Sequence, residues 1–307
     1  MGSIVSLVRV RSSEVDIKDS ICKAINLVDF KTHSQVRLAV IKPNLCYYWD
    51  ADTGYTTDPR IVAGIIDWVR ETYGANVDIK VVESDATAMQ TKLAFLMLGY
   101  ERLAKEKNVE LFNLSNDTAV SKKIYVNGHE IKFKVPQLLL EADLFINAPK
   151  LKIMRDTRIT CAMKNVFGCI SYPRKNIYHP ILKEAIVGIN KVLHPHLNVV
   201  DGIVALGRFP IKLGLIMAGV DPFSIDWVAS KIMGYNPSKV EFLRIAMKEK
   251  LGSIEGMDIC GQNLEEFRKV FPKEGIIPTK YLWAIQLGLL KMYFKLVKDI
   301  MPPALQE

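Results

Sequence analysis

The stretch DLFINAPKLK, residues 143–152, combines an apolar run with two lysines. Leu144–Ile146 is typical of a buried strand, and the chain then crosses Pro149, where such a strand ends. Lys150 and Lys152 follow directly. In parallel α/β sheets, ligands bind outside the carboxyl ends of the strands. We therefore expect these two lysines to stay unburied where the chain leaves the sheet.

Apolar runs alternate with amphipathic segments along the whole chain. Val36–Ile41 and Val77–Val82 predict strands, whereas Glu14–Val28 and Pro59–Thr72 have the apolar spacing of helices. This alternation favours a mainly parallel sheet with helices on both faces. The sequence therefore predicts an α/β fold.

One local pattern predicts a β-hairpin. In KKIYVNGHEIKF, Lys122–Phe133, two alternating runs flank Asn127-Gly128. This dipeptide accepts the positive φ angles that a type I′ turn needs at both central positions.

Polar side chains stand at the ends of several predicted strands, and in a parallel sheet these ends meet at one edge. Lys42, Lys150 and Lys152 would raise the local potential there and attract a carboxylate or a phosphate. Asn44 and Asn147 come from the same strand ends. We predict that these residues bind an anionic substrate and that Lys150 also acts in catalysis.

Two acidic residues, Glu83 and Asp85, follow the predicted strand Val77–Val82. We expect at most one of the two carboxylates to face the pocket directly. We favour Asp85, which lies further into the loop, as a catalytic base or metal ligand. The alternative is a solvated aspartate that caps the next helix.

A further lysine lies within a predicted helix over Ile159–Phe167. Lys164 either extends from this buried helix toward solvent or faces a cavity. We favour the cavity, because the helix follows the two lysines of the opening stretch. Lys164 is thus a third predicted catalytic residue, and Asn165 a predicted substrate-binding residue.

Charge and motifs exclude several classes of function. The 307-residue chain carries a formal net charge of +8, but its basic residues are spread out rather than clustered with aromatic residues. Nucleic acid is therefore not an expected partner. The sequence also has no G-x-x-x-x-G-K-[ST], G-x-G-x-x-G or G-x-S-x-G motif, which argues against P-loop, standard dinucleotide-binding and α/β-hydrolase chemistry.

The cysteines and histidines predict no metal centre. The five cysteines are scattered without a C-x-x-C spacing, which argues against a built-in iron–sulfur cluster, a zinc site or a disulfide framework. His194 and His196 lack a third ligand at a convincing spacing.

The apolar run Ile4–Val10 is too short for a signal core or a membrane span, so we expect a cytoplasmic protein.

Short motifs at the predicted strand ends resemble the family called domain of unknown function 362. They are, in order, IKPN at 41–44, TTDPR at 56–60, ESDA at 83–86, GY at 99–100, NAPKLK at 147–152, MKNVFG at 163–168 and VVDGI at 199–203. The resemblance runs from Val36 to Gly261. It implies an α/β domain of largely unassigned chemistry, which is seen alone or fused to ferredoxin-like iron–sulfur modules.

Two departures from the family pattern bear on metal binding. Family members often carry Thr-His after the lysines, where this chain has Ile153-Met154, and a Glu-Gly-x-Gly-Pro stretch later, where this chain has Leu206–Pro210. The missing histidine and glutamate weaken any metal site implied by the resemblance. The sequence also shows no ferredoxin-like module, so any iron–sulfur cluster would come from a separate ferredoxin-type partner.

The C-terminal residues predict a separate element. Residues 280–301 have a helical pattern in which lysines form a basic stripe on an apolar helix. We predict one α/β domain over residues 1–270 and an amphipathic helical extension over 271–307. The helix either packs on the domain or on a second subunit, which we favour, or lies in the interface of an anionic membrane.

The leading functional hypothesis is an enzyme or binding domain for a small anionic metabolite. Proton abstraction next to a carbonyl, as in an isomerase or a racemase, would fit lysines combined with a carboxylate. Two alternatives stay open: a redox-accessory or interaction protein that works with an iron–sulfur partner, and a membrane-peripheral protein held by its C-terminal helix.

Overall fold

The computed structural model describes residues 2–11, 13–32, 35–271, 288–293 and 295–296. The strands are β1 (Ile4–Arg9), β2 (Leu38–Pro43), β3 (Asp78–Glu83), β4 (Glu110–Asn113), β5 (Ala119–Val126), β6 (His129–Pro136), β7 (Leu144–Ala148), β8 (Lys150–Met154), β9 (Arg158–Thr160), β10 (Leu197–Leu206), β11 (Pro210–Gly219) and β12 (Asp258–Gly261). The α-helices are α1 (Glu14–Leu27), α2 (Pro59–Tyr73), α3 (Thr91–Met97), α4 (Tyr100–Lys107), α5 (Gln137–Glu141), α6 (Ala162–Phe167), α7 (Leu182–Asn190), α8 (Pro222–Ile232), α9 (Glu241–Lys248) and α10 (Leu264–Val270).

A large mixed sheet organises these elements, in the order β12-β1-β11-β10-β7-β2-β3-β4, with β8 paired to β10 and β9. Strands β10, β7, β2, β3 and β4 all run parallel to their neighbours in this series. Strand β11 is antiparallel to both β1 and β10. The prediction of an α/β fold with a mainly parallel sheet is confirmed.

Both faces of the sheet are covered, and β2 shows why its sequence is almost entirely apolar. Val40 packs into a core that helices α6 to α10 share on one face, whereas Ala39 and Ile41 pack into a core shared with helices α1 to α4 on the other. A strand buried on both faces excludes water from its whole length, so a polar residue within it needs a partner.

The predicted β-hairpin is confirmed as β5 and β6, which pair antiparallel. Asn127 and Gly128 have φ angles of 49° and 86°, as a type I′ turn requires. The sequence predicts one hairpin, but β8 with β9 and β10 with β11 are further antiparallel neighbours.

The helix predicted over Ile159–Phe167 is wrong at its beginning. Residues Arg158–Thr160 form β9, paired with β8, and the helix covers only Ala162–Phe167. The β-branched side chains of Ile159 and Thr160 suit a strand, and β8 offers them backbone groups to pair with.

The predicted C-terminal extension, 271–307, lies mostly outside the described residues. Residues 288–293 and 295–296 are helical, as the pattern predicts. Among the described helices, none combines the length and the apolar character that crossing a membrane requires.

Candidate functional site

Lys42 and Glu83 form a buried ion pair at the ends of β2 and β3. The Lys42 Nζ atom lies 2.9 Å from one carboxylate oxygen of Glu83 and 3.0 Å from the other, and the lysine is 1% exposed. Glu83 also accepts a hydrogen bond from the Leu45 backbone N–H at 3.1 Å. The pair therefore fixes the chain where it leaves β2.

A second buried ion pair joins β8 to β10. Lys150 Nζ donates to Asp201 Oδ2 at 2.8 Å, and Lys150 and Asp201 are 1% and 0% exposed. The same carboxylate accepts from the backbone N–H groups of Asp58 and Ile203.

The prediction that Lys150 and Lys152 stay unburied is wrong. The chain does not leave the sheet after Pro149, because Lys150–Met154 forms β8 beside β10. The carboxylate of Asp201 makes the burial of Lys150 tolerable, since a buried charge needs a partner.

Lys152 is equally buried but forms no ion pair with a carboxylate in the described part of the chain. Its Nζ atom donates to Asn44 Oδ1 and to the Tyr55 carbonyl, both at 2.9 Å, and lies 5.9 Å from the centre of the Tyr55 ring. Burial, together with the nearby ammonium groups of Lys150 and Lys42, lowers the pKa of Lys152. The charge is thus held by neutral oxygens and a π face rather than by an anion.

A network of asparagines connects the lysines. Asn165 Oδ1 accepts from Lys42 Nζ at 3.3 Å and from Asn44 Nδ2 at 3.0 Å, while Asn165 Nδ2 donates to Asn147 Oδ1 at 2.8 Å. Asn147 in turn donates to Asn198 Oδ1 at 2.8 Å. These buried amides fix the relative positions of β2, β7, β10 and α6.

Lys164 is half-buried on α6 and donates no hydrogen bond to any residue that the structure describes. Desolvation lowers its pKa to about 8; the charge of Lys152 acts in the same direction, and Cys46 and Asp156 oppose it. The charges of Lys152, Cys46 and Asp156 are thus close enough to Lys164 to affect its pKa.

Asp226 on α8 positions the helix that carries Lys164 and Asn165. Its carboxylate accepts from the Ala162 N–H at 2.6 Å and from the Met163 N–H at 3.1 Å, at the beginning of α6. Desolvation raises the pKa of this buried carboxyl to about 7. Its role is to satisfy the free amides of the helix N-terminus.

Asp85 makes its hydrogen bonds away from these lysines. The carboxylate accepts from the Thr91 N–H at 2.8 Å and from Asn113 Nδ2 at 3.2 Å, which stabilises the beginning of α3. Asp85 thus holds the beginning of the next helix, as in the alternative prediction of a capping aspartate. Glu83, rather than Asp85, is the carboxylate that pairs with Lys42. Only the backbone carbonyl of Asp85 accepts from a buried lysine, Lys175.

The structure brings together seven of the predicted site residues, and we call this set the lysine cluster: Lys42, Asn44, Asn147, Lys150, Lys152, Lys164 and Asn165. Sequence reasoning named Glu83 but preferred Asp85, and it assigned no site role to Asp201, Lys175 or Asp226. For Glu83 the signal was present, because it ends β3 beside β2.

Residues 45–58, which we call the covering segment, are fastened over the lysine cluster. The carbonyls of Ala51 and Tyr55 accept from Lys150 and Lys152, and the N–H groups of Leu45 and Asp58 donate to the two carboxylates of the buried pairs. Tyr47 in this segment has a φ of 67°, a strained conformation for a bulky residue.

The covering segment also borders a cavity of about 420 Å³, lined in part by Ala51, Thr57 and Arg60. Among the described residues, no group of three histidine, cysteine, aspartate or glutamate side chains is placed to hold a metal ion.

Known proteins that are similar to this chain include one curated relative and one solved structure. The thylakoid-associated protein sll1697 of Synechocystis sp. is 25% identical over 227 residues, which are 69% of this chain and 67% of that protein. The lactate racemase apoprotein from Thermoanaerobacterium thermosaccharolyticum superposes with a TM-score of 0.41 and 13% identity, over 65% of this chain. The chain spans about half of that racemase, 51%, and a likeness this distant carries no argument about activity.

A family model described as "Domain of unknown function (DUF362)" matches residues 39–231, which include most of β2, the covering segment and every residue of the lysine cluster. The match begins within β2 and ends within α8. Three of the motifs that resembled this family, IKPN, NAPKLK and MKNVFG, contain all seven residues of the lysine cluster. The chain belongs to the DUF362 family.

Proposed function

We propose that this protein binds a small anionic metabolite, a carboxylate or a phosphate, beside Lys152 and Lys164. The observation that carries the proposal is the unequal pairing of the four lysines of the cluster, three of which are buried and one of which, Lys164, is half-buried. Lys42 and Lys150 are each neutralised by a carboxylate, whereas Lys152 and Lys164 have none among the described residues.

Removing an ammonium group from water costs free energy. That cost is several kcal/mol per ion in a folded protein. The attraction of a well-placed opposite charge offsets about the same amount of free energy. For Lys152 and Lys164 no carboxylate among the described residues offsets this cost, and desolvation therefore lowers the pKa of both lysines. A bound anion would supply the missing charge, and the remaining N–H group of Lys152 would donate to it.

We also propose an isomerase- or racemase-like reaction at these lysines. A lysine with a pKa of about 8 is a suitable general base near neutral pH, and Lys164 is the residue of the cluster with that property. We assign proton transfer to Lys164 rather than to Lys150 or Asp85, because Lys150 is held by Asp201 and Asp85 is held by Thr91 and Asn113.

We expect phosphate or lactate to raise the melting temperature of the protein relative to chloride at equal ionic strength. Lys152→Met should lower the affinity about tenfold or more, since a charge-assisted hydrogen bond contributes about 1.5–3 kcal/mol. The affinity should also fall as the pH rises through about 8, because Lys164 then loses its proton.

Lys92→Met is the matched control for this experiment. Lys92 is exposed on α3, so its substitution changes the net charge equally without touching the cluster. If both variants retain the wild-type response to the anion, or if the wild type gives none, the proposed site is wrong.

A second candidate function is peripheral membrane contact through the C-terminal helix. Its described residues expose apolar side chains at the spacing of one helix face: Leu289, Met292, Tyr293 and Leu296. Lys291 and Lys295 accompany them, and such a helix suits the interface of an anionic membrane. The similar cyanobacterial protein is described as thylakoid-associated. The other alternative, a redox-accessory protein that works with a separate ferredoxin-type partner, stays a prediction.

We expect the full-length protein to co-sediment with phosphatidylglycerol vesicles and less with phosphatidylcholine vesicles. Replacing Leu289 and Leu296 by glutamate should abolish this binding, because each change removes apolar contact and adds a repelled charge. Glutamate in place of Val15, which is equally exposed but lies on α1, is the control. Unchanged co-sedimentation of the double variant would exclude the tail as the anchor.

A further inference from the structure

The nitrogen atom of Lys152 is closed to a dissolved anion in this structure, because the residue is 1% exposed. Tyr55 covers it from the covering segment. The Tyr55 carbonyl accepts from Lys152 Nζ at 2.9 Å, and the centre of the Tyr55 ring lies 5.9 Å from the same atom. An anion can therefore accept a hydrogen bond from Lys152 only after the chain around Tyr55 has moved.

Residues 46–55, which we call the flap, have the surface position that such a movement requires. Within the flap only Gly54 is buried, whereas Leu45 before it and Thr56 after it are 0% and 1% exposed. Buried residues thus fix both ends of a segment whose middle lies at the surface. Local opening at a low free energy is typical of such segments.

Two buried lysines fasten the flap to the sheet. Lys152 donates to the Tyr55 carbonyl at 2.9 Å, and Lys150 donates to the Ala51 carbonyl at 3.4 Å. The second distance is long for a hydrogen bond, and Lys150 is already held by Asp201 at 2.8 Å. Lys152 is therefore the stronger of these two fasteners.

The flap also separates Lys150 from the cavity of about 420 Å³ beside the covering segment. Asp50, Ala51 and Asp52 line this cavity, and the Ala51 carbonyl is also the group that accepts from Lys150. Outward movement of the flap would join the cavity to the space that the buried lysines border. The cavity thus offers a route by which a small molecule reaches them.

We propose that the flap is a lid, and that an anion opens it by replacing the Tyr55 carbonyl as an acceptor of Lys152. The inference rests on the proposed function, because it takes the anion site beside Lys152 as given. An ammonium group binds an anionic oxygen more strongly than a neutral carbonyl. A ligand that binds only the open state also increases the population of that state. The anion therefore releases the flap instead of fixing it.

The test is limited proteolysis of the folded protein with chymotrypsin, which cleaves after aromatic residues. The rate of cleavage measures how often a segment is open. Tyr125 and Tyr172, which are 60% and 41% exposed outside the flap, are the internal controls. Mass spectrometry assigns the cleavage sites, and the flap contains four: Tyr47, Tyr48, Trp49 and Tyr55.

Lys152→Met should speed cleavage in the flap about tenfold or more in chloride buffer, since it removes a hydrogen bond from a charged donor. Lys132→Met is the matched control, because Lys132 is exposed on β6 and its loss changes the net charge equally. Cleavage of the flap at the wild-type rate in Lys152→Met would overturn the inference. If Lys152→Met unfolds, Tyr125 is cleaved faster as well, and the wild type with phosphate decides.

Phosphate should speed cleavage of the flap in the wild type, relative to chloride at equal ionic strength, and should leave the rate in Lys152→Met unchanged. A ligand that only stabilised the closed form would slow it. If phosphate raises the melting temperature but slows or does not change cleavage of the flap, the lid is wrong and the anion site stands. If phosphate changes neither quantity, the proposed function is wrong, and opening by an anion is excluded with it.

Discussion

Glu83→Leu is expected to lower the free energy of unfolding by about 3–5 kcal/mol, the usual cost of leaving one member of a buried ion pair without its partner. The ammonium group of Lys42 would remain 1% exposed, with only the Pro43 carbonyl and Asn165 Oδ1 as acceptors. The Leu45 N–H would also lose its acceptor. Urea denaturation followed by circular dichroism measures the change.

The double variant Lys42→Met/Glu83→Leu separates the charge from the packing. Removing both partners leaves no uncompensated ion, so most of the lost stability should return. Part of the loss should persist, because the Leu45 and Ser84 N–H groups still lack the acceptor that Glu83 provides. A single variant Glu83→Leu as stable as the wild type would show that Lys42 and Glu83 are not paired as described.

The sequence was sufficient to predict the sheet, since the period of the apolar residues is a local property. It was also sufficient to place Lys42 and Asn44 at one edge with Asn147, because parallel strands end at the same edge. The hairpin turn at Asn127-Gly128 needed only the tolerance of these two residues for positive φ.

Burial of the lysines could not be predicted in this way, because it depends on partners that are distant in the chain. Asp201 lies 51 residues from Lys150, and Ser84 lies 91 residues from Lys175. A local sequence pattern spans too few residues to show that either partner pairs with its lysine. Lys175 follows no strand, and the short 3-10 helix that it begins, Lys175–Ile181, gives no signal of a site in its sequence.

For a related reason, the sequence favoured Asp85, although Glu83 is the carboxylate that pairs with Lys42. Strand β3 ends at Glu83, so Asp85 lies beyond the strand and the alternation of side chains does not place its carboxylate. The side chain of Asp85 instead satisfies the Thr91 N–H at the beginning of α3, a common use of aspartate before a helix.

The second large effect concerns Asp201, which we expect to be structural rather than catalytic. Asp201→Asn should lower the free energy of unfolding by about 3–5 kcal/mol, because the amide keeps the size of the side chain but removes the charge that compensates Lys150. An asparagine in the same position also has one oxygen for the three donors that the carboxylate now serves, Lys150 Nζ, the Asp58 N–H and the Ile203 N–H.

Asp58 holds the covering segment to β10 through this carboxylate, so the loss should be seen first at that segment. Hydrogen exchange of the amides in residues 45–58 should quicken in Asp201→Asn more than that of the amides in β3. Asp221→Asn is the matched control, since Asp221 caps α8 away from the lysine cluster and asparagine caps a helix about as well as aspartate, so this change should cost little stability. Equal losses in the two variants, with no selective exchange in the covering segment, would mean that Asp201 does not compensate Lys150. The lysine cluster would then lack the fixed charge pair on which its arrangement depends.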